Sequence, residues 1–155
     1  MDIIFDIDGT LAEMNRERRE ALAVKDYDRF YADDLILRDK PIEPVINTLR
    51  AFQSFDREFG EFGICARIVI STGRPERTRD ATRSWIMDHV CLPVPPIYMR
   101  KDGDHRPDWQ IKEEALMAMR FDGFRPVMAF DDRQQVVDMW RRHGLICAQV
   151  AEGKF

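Results

Sequence analysis

The sequence predicts an α/β domain, a parallel sheet flanked by helices, with a small helical insert after the first strand. Three observations carry this. Short β-branched apolar runs recur without the alternation of a half-exposed strand, which suits strands buried on both faces. Segments with apolar residues at helical spacing lie between them. Each run stops at polar residues, at the strand ends where a parallel sheet gathers its chemistry.

The first run is residues 2–5, ending at Asp6. Ala66–Ile70, Pro96–Met99 and Val127–Phe130 behave alike, and Leu145–Val150 adds a fifth. Val45, Ile46, Leu49, Phe52, Phe55 and Phe59 recur on one helical face, as do Ala81, Trp85 and Ile86. Ile111, Ala115, Leu116 and Met119 form a third stripe, and Val136, Val137 and Trp140 a fourth. All four read as core. Pro44 and Pro75 stand where first-turn prolines belong, and Gly144 where a helix stops. Residues 12–40, charged and holding Tyr27, Phe30 and Tyr31, fit neither pattern and predict a helical excursion beside the site. Without a repeat or linker, residues 1–155 read as one domain.

A chain of 155 residues can bury roughly two thirds of its unfolded surface, enough for one core without staples. No apolar stretch approaches the ~20 residues of a membrane helix. The opening Met1-Asp2-Ile3-Ile4-Phe5-Asp6 shows neither a basic leader nor an export segment, so a cytoplasmic location is expected. A net charge of -4 argues against a generally nucleic-acid-binding surface; a polyanion would be gripped locally. Cys65, Cys91 and Cys147 are odd in number and sit among apolar neighbours, as buried reduced thiols do.

Chemistry begins in Phe5-Asp6-Ile7-Asp8-Gly9-Thr10-Leu11, where two carboxylates stand two apart after a buried strand. One can attack phosphorus while the other moves protons. Calcium loops and surface turns use similar residues, so the motif alone does not decide. Ser71-Thr72-Gly73-Arg74 follows the second run and is expected to open a helix, aiming a hydroxyl and backbone N–H groups at an anion or merely capping the helix. Lys112, on a predicted helix beside Glu113 and Glu114, reads alone as a solvated lysine. Asp131 and Asp132 at a strand end repel each other unless a cation such as Mg2+ lies between them.

Taken in order, acid pair, hydroxyl-Gly-Arg, lysine and acid pair resemble the haloacid dehalogenase superfamily of phosphotransferases. Within it, FDIDGTLAEMN (residues 5–15), residues 71–90, RPDWQIKEE (residues 106–114) and residues 130–155 closely resemble the 3′-phosphatase domain of bacteriophage polynucleotide kinase. The resemblance implies a Rossmann-like fold and a Mg2+-dependent polynucleotide 3′-phosphatase that heals nucleic-acid ends through an aspartyl-phosphate. It implies Asp6 as nucleophile, Asp8 as general acid/base, and Thr72 and Lys112 as holders of the phosphoryl group. The metal would be held by Asp6, the Asp8 carbonyl and Asp131, with Asp132 beside it or holding its waters. Gly73, Arg74, Arg100 and Asp108 would shape the substrate end, with a structural ion pair as the other reading of Arg74.

The chain has no Gly-x-x-x-x-Gly-Lys-Ser/Thr loop, so kinase activity is not expected and a separate kinase or ligase would be the partner. The family pattern also brings an arginine after Asn15, which Arg16, Arg18 and Arg19 leave ambiguous. Arg74, Arg77, Arg79, Arg83, Arg100, Lys101 and Arg106 read either as a basic rim for a nucleic-acid end or as solvated charges. Tyr27, Phe30 and Tyr31 read as base-stacking rings or as the excursion's own core. The sequence leaves DNA, RNA and a 3′-nucleotide open as substrates. The rival functions are a small-molecule nucleotidase, a phosphotransferase to another acceptor and an inactive binding module.

Overall fold

The computed structural model describes residues 1–59, 66–90 and 93–153. Cys65, Cys91 and the side chains of Phe55 and Phe59 lie outside the described residues. The chain opens with β1 (Asp2–Phe5). An insert follows: β2 (Ala12–Glu13), α1 (Arg16–Ala23), α2 (Tyr27–Phe30), α3 (Asp33–Ile36) and β3 (Lys40–Pro41). Then come α4 (Glu43–Phe59), β4 (Arg67–Pro75), a 3-10 turn over Glu76–Thr78, and α5 (Arg79–His89). The chain continues through β5 (Ile97–Arg100), α6 (Asp108–Phe121), β6 (Pro126–Asp131), α7 (Gln134–Arg142) and β7 (Ile146–Gln149).

Five strands form a parallel sheet in the order β5-β4-β1-β6-β7, so all five predicted runs are strands of one sheet. On one face Phe5, Ile68, Ile70 and Phe130 pack under Ile46 and Leu49 of α4 and Trp85 of α5. On the other, Ile4, Val69, Ala129 and Cys147 meet Leu116 of α6 and Trp140 of α7. With both faces covered, the strands need the continuous apolar runs the sequence supplies. Because β1 has β4 on one side and β6 on the other, the crevice lies beyond its carboxyl end, where the strand order reverses.

Two expectations are corrected. Ser71 to Arg74 do not open a helix: they remain extended inside β4, with Ser71 paired to Tyr98 and Pro75 to Arg100. Sheet pairing with β5 holds this backbone, so neither Ser71 nor Thr72 caps a helix, and Pro75 ends the strand instead of starting α5. The insert is helical as expected, but a two-strand antiparallel ribbon of Ala12 with Pro41 and Glu13 with Lys40 closes its base. Asn15 caps α1 by accepting from the Arg18 N–H, and its side-chain amide donates to Leu35 O and Asp39.

Candidate active site

Register sets the first acids side by side. Phe5 pairs with both Ile70 and Phe130, and the Asp6 N–H donates to Phe130 O at 3.0 Å, so Asp6 and Asp131 end neighbouring strands. After Asp6 the chain turns sharply. Ile7 O accepts from the N–H groups of Thr10, Leu11 and Ala12, a turn that uses Gly9 at φ 89°.

Lys112, on α6, is buried under these strand ends, which discards the solvated-lysine reading. Its Nζ lies 2.8 Å from Asp6, 2.8 Å from Asp131 and 3.5 Å from Asp108. Burial works against its charge, but the three acids raise its pKa well above the usual lysine value. Asp131 also accepts from Trp140 Nε1 through one oxygen and from the Asp132 and Arg133 N–H groups through the other. Burial and the neighbouring Asp131, Asp132 and Asp108 raise the Asp6 carboxyl well above the ordinary range, with Lys112 opposing them.

Asp132 is different. It is buried, and neither carboxylate oxygen has a hydrogen-bond partner. Burial and then Asp131 push its pKa up to about 6. Buried charged oxygens left without partners call for a cation. One oxygen each from Asp6, Asp131 and Asp132 lies within 4.8 Å of the others, so the donor set fits a hard divalent ion such as Mg2+.

Asp8 belongs to a second cluster. Arg18 donates to both of its oxygens at 2.8 and 3.2 Å, and Arg74 does so at 2.6 and 3.0 Å. Both guanidiniums also reach the buried Asp39, and Arg18 lies over the Phe30 ring. Burial would raise Asp8, but the two arginines outweigh it and hold the carboxyl far below the usual range. Arg18 thus resolves the ambiguity after Asn15, while Arg16 and Arg19 make exposed pairs with Glu20 and Glu13. Asp39 gave no signal in the sequence. Arg74 is buried in this cluster and ion-paired with both Asp8 and Asp39.

The pocket is closed by Gly73, Tyr31, Arg100 and Asp108. Tyr31 Oη and Arg100 Nε both donate to Gly73 O, at 3.3 and 2.8 Å, and Arg100 Nη2 lies 3.3 Å from Asp108. A Cβ on Gly73 would collide with Asp108 Oδ1, so a larger residue there would have to push the Asp108 carboxylate aside. Thr72 is buried and its hydroxyl accepts from the Arg74 N–H at 3.3 Å. Of the rim residues, Arg77, Arg100, Lys101 and Arg106 border an adjoining cleft. Arg79 is engaged with Glu76, and Arg83 is exposed on α5.

Acids gathered at the carboxyl ends of a five-stranded parallel sheet, around a buried lysine, define the class: a phosphatase of the haloacid dehalogenase superfamily. The chain belongs to the polynucleotide kinase PNKP phosphatase domain family, whose model matches residues 1–155. It is similar to a chain in the "Structure of the Pnkp1/Rnl/Hen1 RNA repair complex", with 26% identity and a TM-score of 0.79, over 99% of this chain and 43% of that one. A chain in the "Structure of Pnkp1/Rnl/Hen1 complex" matches at 28% identity and a TM-score of 0.73, over 99% of this chain and 46% of that one. The chain therefore spans less than half the length of these two matched chains. Among the described residues no helix is long and apolar enough to cross a membrane.

Proposed function

We propose that the chain removes the terminal phosphate from a nucleic-acid 3′ end, with Asp6 as nucleophile. The carrying observation is Lys112 bridging Asp6 and Asp131 beside the unpartnered carboxylate of Asp132. An Asp6 oxygen attacks phosphorus and the 3′ oxygen leaves, giving an aspartyl-phosphate. Lys112 balances phosphoryl charge, and Thr72 and the Gly73 backbone supply polar groups beside it. Water then attacks the aspartyl-phosphate, gives its proton to Asp8 and releases phosphate and free Asp6. Arg18 and Arg74 hold Asp8 as an anion, so it enters this second step unprotonated, and accepting the proton draws it away from that clamp. Protonating the leaving 3′ oxygen requires Asp8 to carry a proton, and hence a loosening of that arginine clamp.

Asp6, Asp131, Asp132 and the Asp8 carbonyl are the groups that would hold Mg2+. When bound, the ion would offset the charge of the acids and of the phosphoryl group. The matched repair-complex chains favour an RNA end, and end healing in company with a separate kinase or ligase fits the family. The test is phosphate release with Mg2+ from an oligonucleotide bearing a 3′-phosphate, with a 5′-phosphorylated control and the Asp6→Asn variant. Release confined to the 3′ end and lost in Asp6→Asn supports the reading. Release that persists in a folded Asp6→Asn protein would remove the covalent mechanism, and preference for a free mononucleotide would redirect it to a nucleotidase.

A further inference from the structure

The catalytic pocket offers about 40 Å3, space for a few water molecules at ~10–15 Å3 each. It has room for a transferring group and not for a nucleoside. Next to it opens a cleft of about 510 Å3, which shares Phe30, Tyr31, Arg100, Asp108 and Arg133 with the pocket. One wall is the insert, with Leu22, Tyr27 and Tyr31; the other is the loop from Lys101 to Pro107 between β5 and α6.

The chemistry of this cleft is that of an anion with an aromatic body. Arginine and lysine outnumber acids along it by five to three. Arg100 and Arg106 are engaged with Asp108, Asp104 and Glu114. Lys101 joins no ion pair among the described residues. Arg77 has its guanidinium 5.8 Å from the Tyr31 ring centroid, and its acid partner, Asp28 at 3.4 Å, is fully exposed and holds it weakly. Tyr27 is half exposed, unlike the buried Phe30.

We propose that this cleft takes the 3′-terminal nucleotide together with the phosphodiester one position upstream. The base lies against Tyr27 and Tyr31, and the upstream phosphate meets Arg77 and Lys101. The proposal rests on the 3′-phosphatase reading and adds a requirement to it: the enzyme reads the strand through a phosphate it does not cleave. Aromatic faces accept any base, so the cleft grips a strand end without choosing its sequence.

The test compares a 3′-phosphorylated dinucleotide with a nucleoside 3′-monophosphate, which lacks the upstream phosphate, using wild type and the Arg77→Ala/Lys101→Ala double variant. Wild type should favour the dinucleotide through KM, and the double variant should lower the ratio of kcat/KM values about tenfold while weakening the salt dependence. An unchanged ratio overturns the proposal. If wild type cleaves p-nitrophenyl phosphate but neither nucleotide, the 3′-phosphatase reading fails, and the cleft is then judged by anisotropy with a labelled 3′-hydroxyl dinucleotide. Binding lost in the double variant supports the cleft; equal binding overturns it.

Discussion

Lys112 Nζ lies 2.8 Å from Asp131 Oδ2 with both side chains buried, and the same amine is 2.8 Å from Asp6. One buried cation thus keeps Asp6, Asp108 and Asp131 together. Removing it leaves like charges facing one another. Lys112→Ala should lose about 3–5 kcal/mol of stability, as buried pairs do when one partner is deleted. It should also lose at least ~100-fold in kcat, the usual effect of removing a group that stabilises transition-state charge. Urea unfolding with and without Mg2+ checks the account, because the ion should restore more stability to the variant than to wild type.

Arg18 grips Asp8 with two nitrogens, donates to Phe30 O through Nε and also pairs with Asp39. A lysine has no fork to reproduce those contacts. Arg18→Lys should therefore resemble Arg18→Ala, each lowering kcat by at least ~100-fold, since a misplaced catalytic group loses that much. Steady-state kinetics on a 3′-phosphorylated oligonucleotide read this directly. Activity near wild type in Arg18→Lys would show that charge alone is needed.

The core and much of the site were legible because their signals are local. Apolar runs marked the strands, and their polar ends marked Asp6, Thr72 and Asp131 before any register was known. The Ser71–Arg74 segment misled because hydroxyl and glycine residues before a proline suit a helix start and a bent strand end alike; pairing with β5 decides between them. Arg18 stood among similar arginines, and only the phase set by the Asn15 cap, which turns Arg18 and Ala21 inward, singles it out. Asp39 is joined to Asp8 through Arg18 and Arg74, a relationship that exists only after folding.

Cys147 lies buried on β7, where burial and then the Asp131 charge push its thiol up to about 12. An ordinary thiol ionises near ~8.5. At pH 9 the folded protein should leave Cys147 unalkylated by iodoacetamide, while urea exposes it, as peptide mapping would show. The linkage sign follows from the raised value. The unfolded thiol loses its proton first, so folding stability falls as pH climbs from about 8.5 toward 12. Rapid labelling of the native protein would contradict this burial.

Gly153 packs against the acid pair: its N–H donates to Asp132 O at 3.1 Å, and a Cβ there would stand 2.6 Å from Asp132 Oδ2 and 3.0 Å from the Arg133 backbone. The side-chain oxygen can yield more easily than the backbone, so Gly153→Ala should move the Asp132 carboxylate away from Asp6 and Asp131. A shifted carboxylate binds a cation less well. Changes to residues that orient metal ligands cost about 10–100-fold in affinity, and the lower end is expected here. Calorimetric Mg2+ titration measures it, together with the smaller rise in melting temperature that Mg2+ would give the variant. Equal Mg2+ affinity in the two proteins would mean that the chain near Gly153 shifts instead, and that Asp132 is not positioned from this end of the chain.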